Sequence, residues 1–374
     1  MKKEQPIRVA HIVGKMVGGG VEAFIMNYYR NIDRTKVQFD FIIDSDSKIV
    51  PRKEIEELGG RIIEIPPYQK IFSYTKELKK ILNENKYKIV HSHLNSLSVF
   101  PLFVAWLAKV PVRIAHSHST TNKKEWKKNI IKVVLRPFSK VFATNYFACS
   151  EHAARWLFGN KTFEQSKVRI IHNAIDVDKF KYNEIVRNKL RKELQIEDKI
   201  VLGHVGRFVK QKNHEYLIDV FAKAKRINNN LILLLIGEGP LEDKIKNKVE
   251  YLGISDSVIF IGVVEDIYNY FQTMDCFVFP SLYEGLGIVL IEAQCNGLTC
   301  LCSDEIPEEA RMSSLFKKIK LDDQEEWIKN ICKFDNHKRC DFKNEIVEKG
   351  YEIKNESNLI EKEYIKLYME GQKI

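Results

Sequence analysis

Two glutamates in the second half of the chain have the types and spacing of a nucleotide site. Glu284 lies in a glycine-rich loop, and Glu292 lies about one turn inside the apolar helix expected to follow. A carboxylate inside an apolar run is costly to bury unless it has a partner, and a carboxylate can accept hydrogen bonds from a ribose diol. The loop also offers an anion the backbone N–H groups of Leu286, Gly287 and Ile288.

Two basic residues follow the predicted strand Ile200–His204. Arg207 and Lys212 come after Gly206, where the strand ends. Two cations at such a position can hold the diphosphate of a leaving nucleotide, although either residue alone is more typical of a solvated surface. After the next strand, Gly237-Glu238-Gly239-Pro240 predicts a strand-to-helix turn.

Glycines also follow the first predicted strand. Gly18, Gly19 and Gly20 open a helix that extends to about Asn31. Glycine lets the backbone approach a ligand closely, and the start of a helix favours a phosphate. The spacing matches neither the dinucleotide-binding fingerprint nor a Walker loop, and a purely structural turn is the alternative.

Two His-Ser-His triplets, at 91–93 and 116–118, end two further strands of the first half. Such turns on the ligand side of one sheet indicate substrate contact; structural histidines and metal ligands are the alternatives. No carboxylate at ligand spacing joins either triplet, and Asp44-Ser45-Asp46 matches a metal-binding D-x-D pair only in isolation. The sequence therefore predicts no metal site.

Strand-like runs alternate with helical periods along the chain, which predicts two doubly wound α/β domains with parallel sheets. Ligands of such sheets bind outside the carboxyl ends of the strands, where the residues above lie.

A polar stretch places the domain junction near 173–180 and gives domains 1–173 and 174–354. A last helix, Asn355–Glu370, has Leu359, Tyr364, Leu367 and Tyr368 as its expected apolar contacts. The other predicted strands are Arg8–Val13, Val37–Ile43, Arg61–Ile65, Lys88–His91, Val112–His116, Tyr146–Cys149, Leu231–Ile236, Val258–Ile261, Asp275–Phe279 and Thr299–Cys302.

Length and cysteine usage narrow the class of protein. The 374 residues exceed the ~250–300 at which one hydrophobic core stops growing, so two domains are expected. Seven cysteines, an odd number placed mostly in apolar segments, favour reduced thiols. The first residues lack the apolar core of a signal peptide. We therefore expect a cytoplasmic protein.

The charge suggests one further partner. Sixty basic and fifty acidic residues leave a formal charge of +10, concentrated in segments such as Lys123–Lys140. That segment interleaves apolar residues with lysines, as in a helix that rests on an anionic bilayer; a solvated surface helix is the equal alternative. No nucleic-acid-binding module accompanies the charge, so nucleic acid is not expected as a partner.

Taken together, these motifs resemble the retaining glycosyltransferases of the GT-B fold, family 4 or glycosyl transferases group 1, and in particular members from bacterial capsular and exopolysaccharide clusters. The resemblance covers nearly the whole chain and is most specific from Glu284 to Glu292. Two positions depart from the family pattern: Ala174 stands where glycine is usual after asparagine, and Thr299 stands where proline is usual.

The resemblance implies two Rossmann-like domains that face a cleft, with the last helix, 355–374, crossing back to the first domain. It implies that Arg207 and Lys212 hold the donor diphosphate, that Glu292 binds the ribose, and that Glu284 and its loop lie against the donor sugar. His116, rather than His118, would line the donor-sugar and acceptor side.

The implied reaction is transfer of a sugar from a UDP- or GDP-sugar to a saccharide or polyprenyl-linked saccharide, with retention of configuration and without a metal ion or other cofactor. A nucleotide-sugar epimerase of the same architecture and a catalytically silent nucleotide-sugar-binding subunit are the alternatives. A nicotinamide dehydrogenase is disfavoured because the dinucleotide fingerprint is missing.

Overall fold

The computed structural model describes residues 5–118, 133–333 and 339–373. The chain divides into two compact units. The first combines Met1–Ala174 with Glu352–Ile374, and the second is Ile175–Tyr351. The last helix, Ile353–Gly371, therefore belongs to the first unit although it follows the second in sequence.

The first unit contains a seven-stranded parallel sheet in the order β3-β2-β1-β4-β5-β6-β7. The strands are β1 Ile7–Gly14, β2 Val37–Asp44, β3 Arg61–Ile65, β4 Ile89–Ser92, β5 Val112–Ser117, β6 Asn145–Ala148 and β7 Val168–Ile170. The helices are Gly20–Asn31, Arg52–Glu57, Ile71–Glu84, Val99–Leu107, Glu151–Phe158, Asn160–Glu164 and Ile353–Gly371, with 3₁₀ turns at Asn95–Ser98 and Arg136–Lys140.

The second unit contains a six-stranded parallel sheet in the order β10-β9-β8-β11-β12-β13. The strands are β8 Ile200–Val205, β9 Leu231–Ile236, β10 Val258–Gly262, β11 Cys276–Phe279, β12 Thr299–Ser303 and β13 Phe316–Ile319. The helices are Val177–Phe180, Glu184–Glu193, His214–Ile227, Glu242–Tyr251, Ile267–Thr273, Ile288–Cys295, Gln324–Cys332 and Lys343–Glu348, with 3₁₀ turns at Lys210–Lys212, Ser255–Ser257 and Glu308–Ala310.

The central strands are apolar on both faces because helices cover each side of the sheets. Every residue of β9 is buried, which explains why this segment reads as a continuous hydrophobic run in the sequence. β2 is also buried throughout but contains Gln38 and Asp40, which accept hydrogen bonds from the hydroxyls of Tyr29 and Tyr87. The predicted class, two doubly wound α/β domains, is confirmed.

Two short edge strands were not predicted. β7 has only three residues and β13 carries Lys317 and Lys318, so neither has the apolar run of a central strand.

The predicted contacts of the last helix need one correction. Leu359 is 42% exposed, and Ile353 and Ile360 are buried instead, because the buried stripe includes positions 353, 360, 364 and 367 and leaves 359 outside it.

In both sheets the strand order reverses next to the first strand, and this position is the topological switch point of the sheet. β1 lies between β2 and β4, and β8 lies between β9 and β11. Loops that leave such neighbouring strands run in opposite directions and open a crevice at the carboxyl edge, the usual ligand site of these sheets. The residues just after β1, β4, β8 and β11 are therefore the positions to search for a site.

Candidate functional site

In the second unit, hydrogen bonds tie the loop after β8 to the loop after β11. Asn213, which has a left-handed φ of 57°, donates from Nδ2 to the carbonyl of Pro280 at 3.1 Å. The amide of Leu282 donates to the carbonyl of Gln211 at 2.8 Å. The two loops on either side of the switch point therefore form one surface.

That surface holds a lysine and a glutamate in a mostly buried ion pair. Lys212 Nζ lies 2.7 Å from Glu284 Oε1 and 4.6 Å from the centre of the Phe279 ring. Gln211 Nε2 donates to the other carboxylate oxygen of Glu284 at 3.2 Å. The two paired side chains are 17% and 8% exposed, so the lysine charge is held in a fixed position at the end of the sheet.

Arg207 lies at the same edge but is exposed. Over the described ranges, its guanidinium forms no ion pair and no hydrogen bond. A cation in this state keeps all five of its N–H donors for a ligand.

Gly237 allows the loops after β8 and β9 to approach each other. Its φ is +131°, and a Cβ at this position would lie 2.4 Å from the carbonyl oxygen of Gly206. Only glycine meets both conditions without strain, so Gly237 has a structural reason for its identity apart from any ligand.

The loop after β11 turns into the helix Ile288–Cys295 through Gly287, which has a φ of +79°. Leu286 is buried beneath the turn. The amide groups of Leu286, Gly287 and Ile288 donate to no described residue, and the start of a helix carries a partial positive charge. These amides are thus available to an anion.

Glu292 lies in the second turn of this helix and is partly buried. Burial raises the pKa of its carboxyl to about 7. Within the part of the chain that the structure describes, its side chain has no hydrogen-bond or ionic partner. A buried carboxyl without a partner is destabilising. An unpaired carboxyl is expected where a ligand hydroxyl is to bind.

In the first unit, the glycine loop after β1 already contains a carboxylate. Glu22 accepts hydrogen bonds from the amides of Val17, at 2.9 Å, and Gly19, at 3.0 Å. A phosphate at Gly19 would have to displace this charge. Gly20 is exposed and has open space around it, whereas the amide of Gly19 already donates to Glu22.

The two His-Ser-His triplets lie beside a fifth histidine, His11 of β1. The alternation of side chains along strands and the parallel register, with His11 opposite His91, bring all five rings together. His11 Nδ1 lies 2.9 Å from His93 Nε2, His93 Nδ1 lies 2.8 Å from His118 Nε2, and His91 Nε2 lies 3.0 Å from His116 Nδ1.

Burial lowers the pKa of all five histidines. The pKa values of His11 and His118 fall to about 3, and the other three lie well below the usual value of 6.5. The rings are therefore neutral near pH 7, and each has one nitrogen without a proton.

The prediction that His116, rather than His118, faces a ligand stays a prediction, but the two histidines differ in burial. His116 is fully buried in β5, whereas His118 follows the strand and keeps 9% of its surface exposed. His118 is also positioned by its own amide, which donates to Asn95 Oδ1 at 2.7 Å.

The prediction of no metal site considered each triplet by itself and rested on the lack of a carboxylate at ligand spacing. In the fold, histidines from neighbouring strands come together: ring nitrogens of His93, His116 and His118 lie within 4.8 Å of one another, as do those of His11, His91 and His93. The absence of a metal stays a prediction. The D-x-D pair shows no such convergence: Asp46 pairs with Lys15, and burial raises the pKa of Asp44 to about 6.

Sequence reasoning missed Gln211, His11 and Tyr364. Tyr364 was expected only as a core contact, yet its hydroxyl lies 2.7 Å from His91 Nδ1. His11 stands alone in its strand and Gln211 lies in a polar turn. Neither position carries a local signal, because each acquires its role from a partner distant in sequence.

Comparison with known proteins gives two family matches. Residues 18–179 match the model of Glycosyltransferase Family 4, and residues 186–336 match that of Glycosyl transferases group 1. The two matched ranges together cover most of both units.

Several bacterial proteins are similar over most of their length. A Bacillus subtilis protein named as glycosyltransferase EpsF is 36% identical over 308 residues, which cover 81% of this chain and 80% of that protein. The capsular polysaccharide biosynthesis glycosyltransferase CapH of Staphylococcus aureus is 27% identical, with 83% and 85% covered. An Escherichia coli UDP-Gal:alpha-D-GlcNAc-diphosphoundecaprenol alpha-1,3-galactosyltransferase is 26% identical, with 80% and 79% covered.

Solved structures share the fold. Anabaena HepE, in complex with UDP-glucose, superposes with a TM-score of 0.70 at 16% identity and covers 98% of both chains. Sucrose-phosphate synthase from Thermosynechococcus elongatus gives a TM-score of 0.73 at 17% identity, with 97% of this chain and 99% of that chain covered.

Proposed function

Since the chain belongs to the glycosyltransferases of family 4, we propose that it transfers a sugar from a nucleoside diphosphate sugar to a saccharide or lipid-linked saccharide with retention of anomeric configuration. The supporting observation is the arrangement around the switch point of the second sheet. Four features follow β8 or β11: an arginine, a fixed lysine–glutamate pair, helix-start amides and a carboxyl. Among the residues that the structure describes, the arginine, the amides and the carboxyl have no partner.

These groups match the parts of a nucleotide sugar. Arg207 and the amides of Gly287 and Ile288 are free to bind phosphate oxygens, and Lys212 adds a second positive charge. Such donors stabilise the charge that builds on the diphosphate as the glycosidic bond breaks. Glu292 can accept the hydroxyl hydrogens of the ribose, and Glu284 holds Lys212 in position.

The test is a panel of nucleotide sugars. The donor should raise the melting temperature of the protein, because a ligand that binds only the folded state stabilises it. Turnover with that donor and a matching acceptor then separates transfer from simple binding and from epimerisation. The anomeric configuration of the product, read by NMR, decides between retention and inversion.

The acceptor is proposed from relatives. The names of two similar enzymes, from Escherichia coli and Campylobacter jejuni, specify diphospho-undecaprenol acceptors, and CapH is named for capsular polysaccharide biosynthesis. We therefore propose a role in surface polysaccharide assembly with a lipid-linked acceptor.

Transfer should not require a divalent metal ion at the donor phosphates, because Arg207 and Lys212 supply the positive charge that a metal supplies elsewhere. We expect activity to persist in EDTA. The check is initial rate with and without chelator. Loss of transfer in EDTA that Mg²⁺ or Mn²⁺ restores would contradict the prediction.

Donor affinity should rise with pH. If the ribose binds the ionised form of Glu292, whose pKa is about 7, only a minority of molecules can bind at pH 6 and most can bind at pH 8. The dissociation constant of a nucleotide sugar, whose diphosphate does not titrate in this range, should fall about tenfold across that interval.

The control for this measurement is Glu292→Gln, which keeps the shape of the side chain but cannot ionise. Its affinity should be weaker and independent of pH. A wild-type affinity that is flat from pH 6 to pH 8 would remove the ribose role of Glu292.

Lipid-linked acceptors require access to a membrane surface. No helix among the described residues is long and apolar enough to cross a bilayer. The first unit instead exposes an apolar patch, in which the rings of Phe103 and Trp106 lie 5.1 and 5.7 Å from that of Phe142. Phe103, Trp106, Val133, Val134, Phe138 and Val141 are between 37% and 60% exposed.

Exposed lysines, Lys109 and Lys140, flank this patch. Most of the predicted membrane-binding segment, Lys123–Lys140, falls in 119–132 and so lies outside the described residues. Aromatic side chains with flanking cations suit an anionic bilayer, and we propose that this face rests on the inner surface of the cytoplasmic membrane.

Binding to liposomes should depend on anionic lipid, on the lysines of the segment Lys123–Lys140 and on the exposed aromatic side chains of the patch. Each basic residue near an anionic surface contributes about 1 kcal/mol, so changing Lys123, Lys124, Lys127 and Lys128 to Gln should abolish sedimentation with anionic liposomes. Trp106→Ala should weaken it. Phe72→Ala, which removes a 90% exposed aromatic ring elsewhere in the first unit, is the control. Equal binding to neutral and anionic liposomes would contradict electrostatic docking.

A further inference from the structure

Strand β2 of the first unit buries two carboxyl groups whose surroundings differ. Asp40 and Asp44 are 0% and 6% exposed. Asp40, in the middle of the strand, lies 2.5 Å from Arg8 Nη1 and accepts a hydrogen bond from the Tyr87 hydroxyl at 2.7 Å. Asp44 is the last residue of the strand, and among the described residues its side chain has no hydrogen-bond or ionic partner. The fold therefore satisfies one buried carboxyl of β2 and leaves the other unpaired.

The surroundings of Asp44 disfavour its charge. Burial raises the pKa of its carboxyl to about 6, and the charge of Asp46 acts in the same direction, whereas that of Lys15 opposes it. Lys15 does not pair with Asp44, because its ammonium group contacts Asp46. More than nine in ten buried polar groups in proteins have a partner. An unpaired carboxyl at this position therefore indicates a partner that binds from outside the chain.

A second polar group near Asp44 also has no partner. The hydroxyl of Tyr74, in the helix Ile71–Glu84, is buried and forms no hydrogen bond with a described residue. Ile42 and Tyr74 belong to one hydrophobic cluster, and Asp44, two residues after Ile42, projects to the same face of the sheet. Burial raises the pKa of Tyr74, and the charge of Asp44 raises it further. An acceptor and a donor thus lie near each other without a hydrogen bond between them, and a hydroxyl group can pair with both.

The two unpaired groups lie toward the ligand edge of the sheet. Asp44 ends β2, which is the neighbour of β1, and ligands of such sheets bind outside the carboxyl ends of the strands. The loop after β2 is joined to the loop after β1. The amide of Met16 donates to Ser47 Oγ at 3.0 Å, and the amide of Lys48 donates to the carbonyl of Met16 at 3.0 Å. Asp44 is therefore positioned beside the glycine loop of the first unit.

The charges at this position select the class of ligand. An anion such as a diphosphate would be repelled by the carboxylates of Asp44 and Asp46. A metal ion has too few ligands, because Asp44 belongs to no group of three potential metal ligands in the described part of the chain. A neutral ligand that carries hydroxyl groups fits best, since a carboxylate accepts hydrogen bonds from hydroxyls. A saccharide is such a ligand.

We propose that the carboxyl of Asp44 binds a hydroxyl of the saccharide acceptor at the carboxyl end of β2, with the hydroxyl of Tyr74 as a neighbouring donor. This proposal rests on the proposed function, because it names a contact of the first unit with the acceptor of that same reaction. The phosphates and ribose of the donor have their proposed partners in the second unit, so Asp44 is not needed for them.

The first test measures stability and does not depend on glycosyl transfer. It compares Asp44→Asn with Asp40→Asn in the full-length protein at pH 8, where the carboxyl of Asp44 is ionised. Asp44→Asn should raise the melting temperature by about 2–4 °C, because it removes a buried charge that has no partner. Asp40→Asn should lower it, because Arg8 and Tyr87 lose their partner. A melting temperature that is unchanged or lowered in Asp44→Asn would show that Asp44 is already satisfied and would overturn the proposal.

The second test measures the binding of neutral saccharides. The probes are the p-nitrophenyl glycosides of glucose, galactose, N-acetylglucosamine and N-acetylgalactosamine, with binding to the free protein read by saturation-transfer NMR. At least one should bind the wild type, and Asp44→Asn should weaken its binding by about 10- to 100-fold, as for the loss of a hydrogen bond to a charged group. Asp46→Asn, which changes the neighbouring 52% exposed carboxylate, is the matched control and should bind as wild type does.

Equal affinity in the wild type and in Asp44→Asn would overturn the proposal and leave a bound water as the partner of Asp44. Absence of binding by every glycoside of the panel would also overturn it. The rise in melting temperature that a nucleotide sugar produces should be the same in Asp44→Asn as in the wild type, because the proposed donor groups lie in the second unit. Asp44-dependent glycoside binding without turnover of any donor would refute the proposed function and leave Asp44 as a saccharide-binding group.

Discussion

Arg207→Ala should lower the rate of glycosyl transfer by about 10²–10³ while leaving the melting temperature of the free protein unchanged. The guanidinium is exposed and forms no hydrogen bond or ion pair with a described residue, so its removal costs the fold no such interaction. Its proposed partner is the diphosphate, where charge develops as the sugar leaves. The measurement is kcat/KM with the donor identified by the panel, together with a thermal melt.

Arg226→Ala is the matched control for this variant. Arg226 is an exposed arginine of the same unit, near the end of the helix His214–Ile227, so its removal makes the same change in net charge. Its turnover should equal that of wild type. Wild-type turnover in Arg207→Ala would remove Arg207 from the site.

Lys212→Ala should reduce transfer by a similar factor but should also destabilise the protein. The sequence alone suggests that this change spares stability, as it does for Arg207. The structure corrects that expectation, because Lys212 pairs with Glu284, whose side chain is only 8% exposed. Leaving a buried group without its partner costs about 1–3 kcal/mol, which a denaturation experiment can resolve.

A double-mutant cycle separates the two effects. Glu284→Gln in the Lys212→Ala background removes the unpaired charge, so we expect it to restore stability but not transfer. The control pair is Lys244 and Glu215, which has nearly the same length, 2.8 Å, but is 62% and 45% exposed. Breaking it should have little effect, as for most surface ion pairs. Full recovery of transfer in the Lys212→Ala, Glu284→Gln double variant would show that Lys212 only neutralises Glu284.

Local periodicity was sufficient to predict most of the fold. Arg61–Ile65 and Leu231–Ile236 are strands with the bounds that the sequence predicts. Leu231–Ile236 could be recognised because a covered parallel strand must be apolar on both faces, and the edge strand Arg61–Ile65 could be recognised by its three isoleucines. β13 was not predicted, since an edge strand can carry charged residues such as Lys317 and Lys318.

That Arg207, Lys212 and Glu284 follow strands could also be predicted, because the end of an apolar run marks the end of a strand. Their partners could not. The pairing of Lys212 with Glu284 joins residues 72 positions apart, and only the adjacency of β8 and β11 brings them together. The amide of Gly19 likewise receives the carboxylate of Glu22, which a glycine motif read by itself does not reveal.

The histidines show most clearly what the sequence determines and what only the tertiary structure decides. The sequence by itself determined that two His-Ser-His triplets end two strands of one sheet, since the spacing of two residues places both rings of a triplet on one face. Only the tertiary structure decided that β1 and β5 lie on either side of β4, so that His11 joins the cluster and the rings of the two triplets contact each other. Strand order depends on how the helices pack against both faces of the sheet, and that information is not local in the chain.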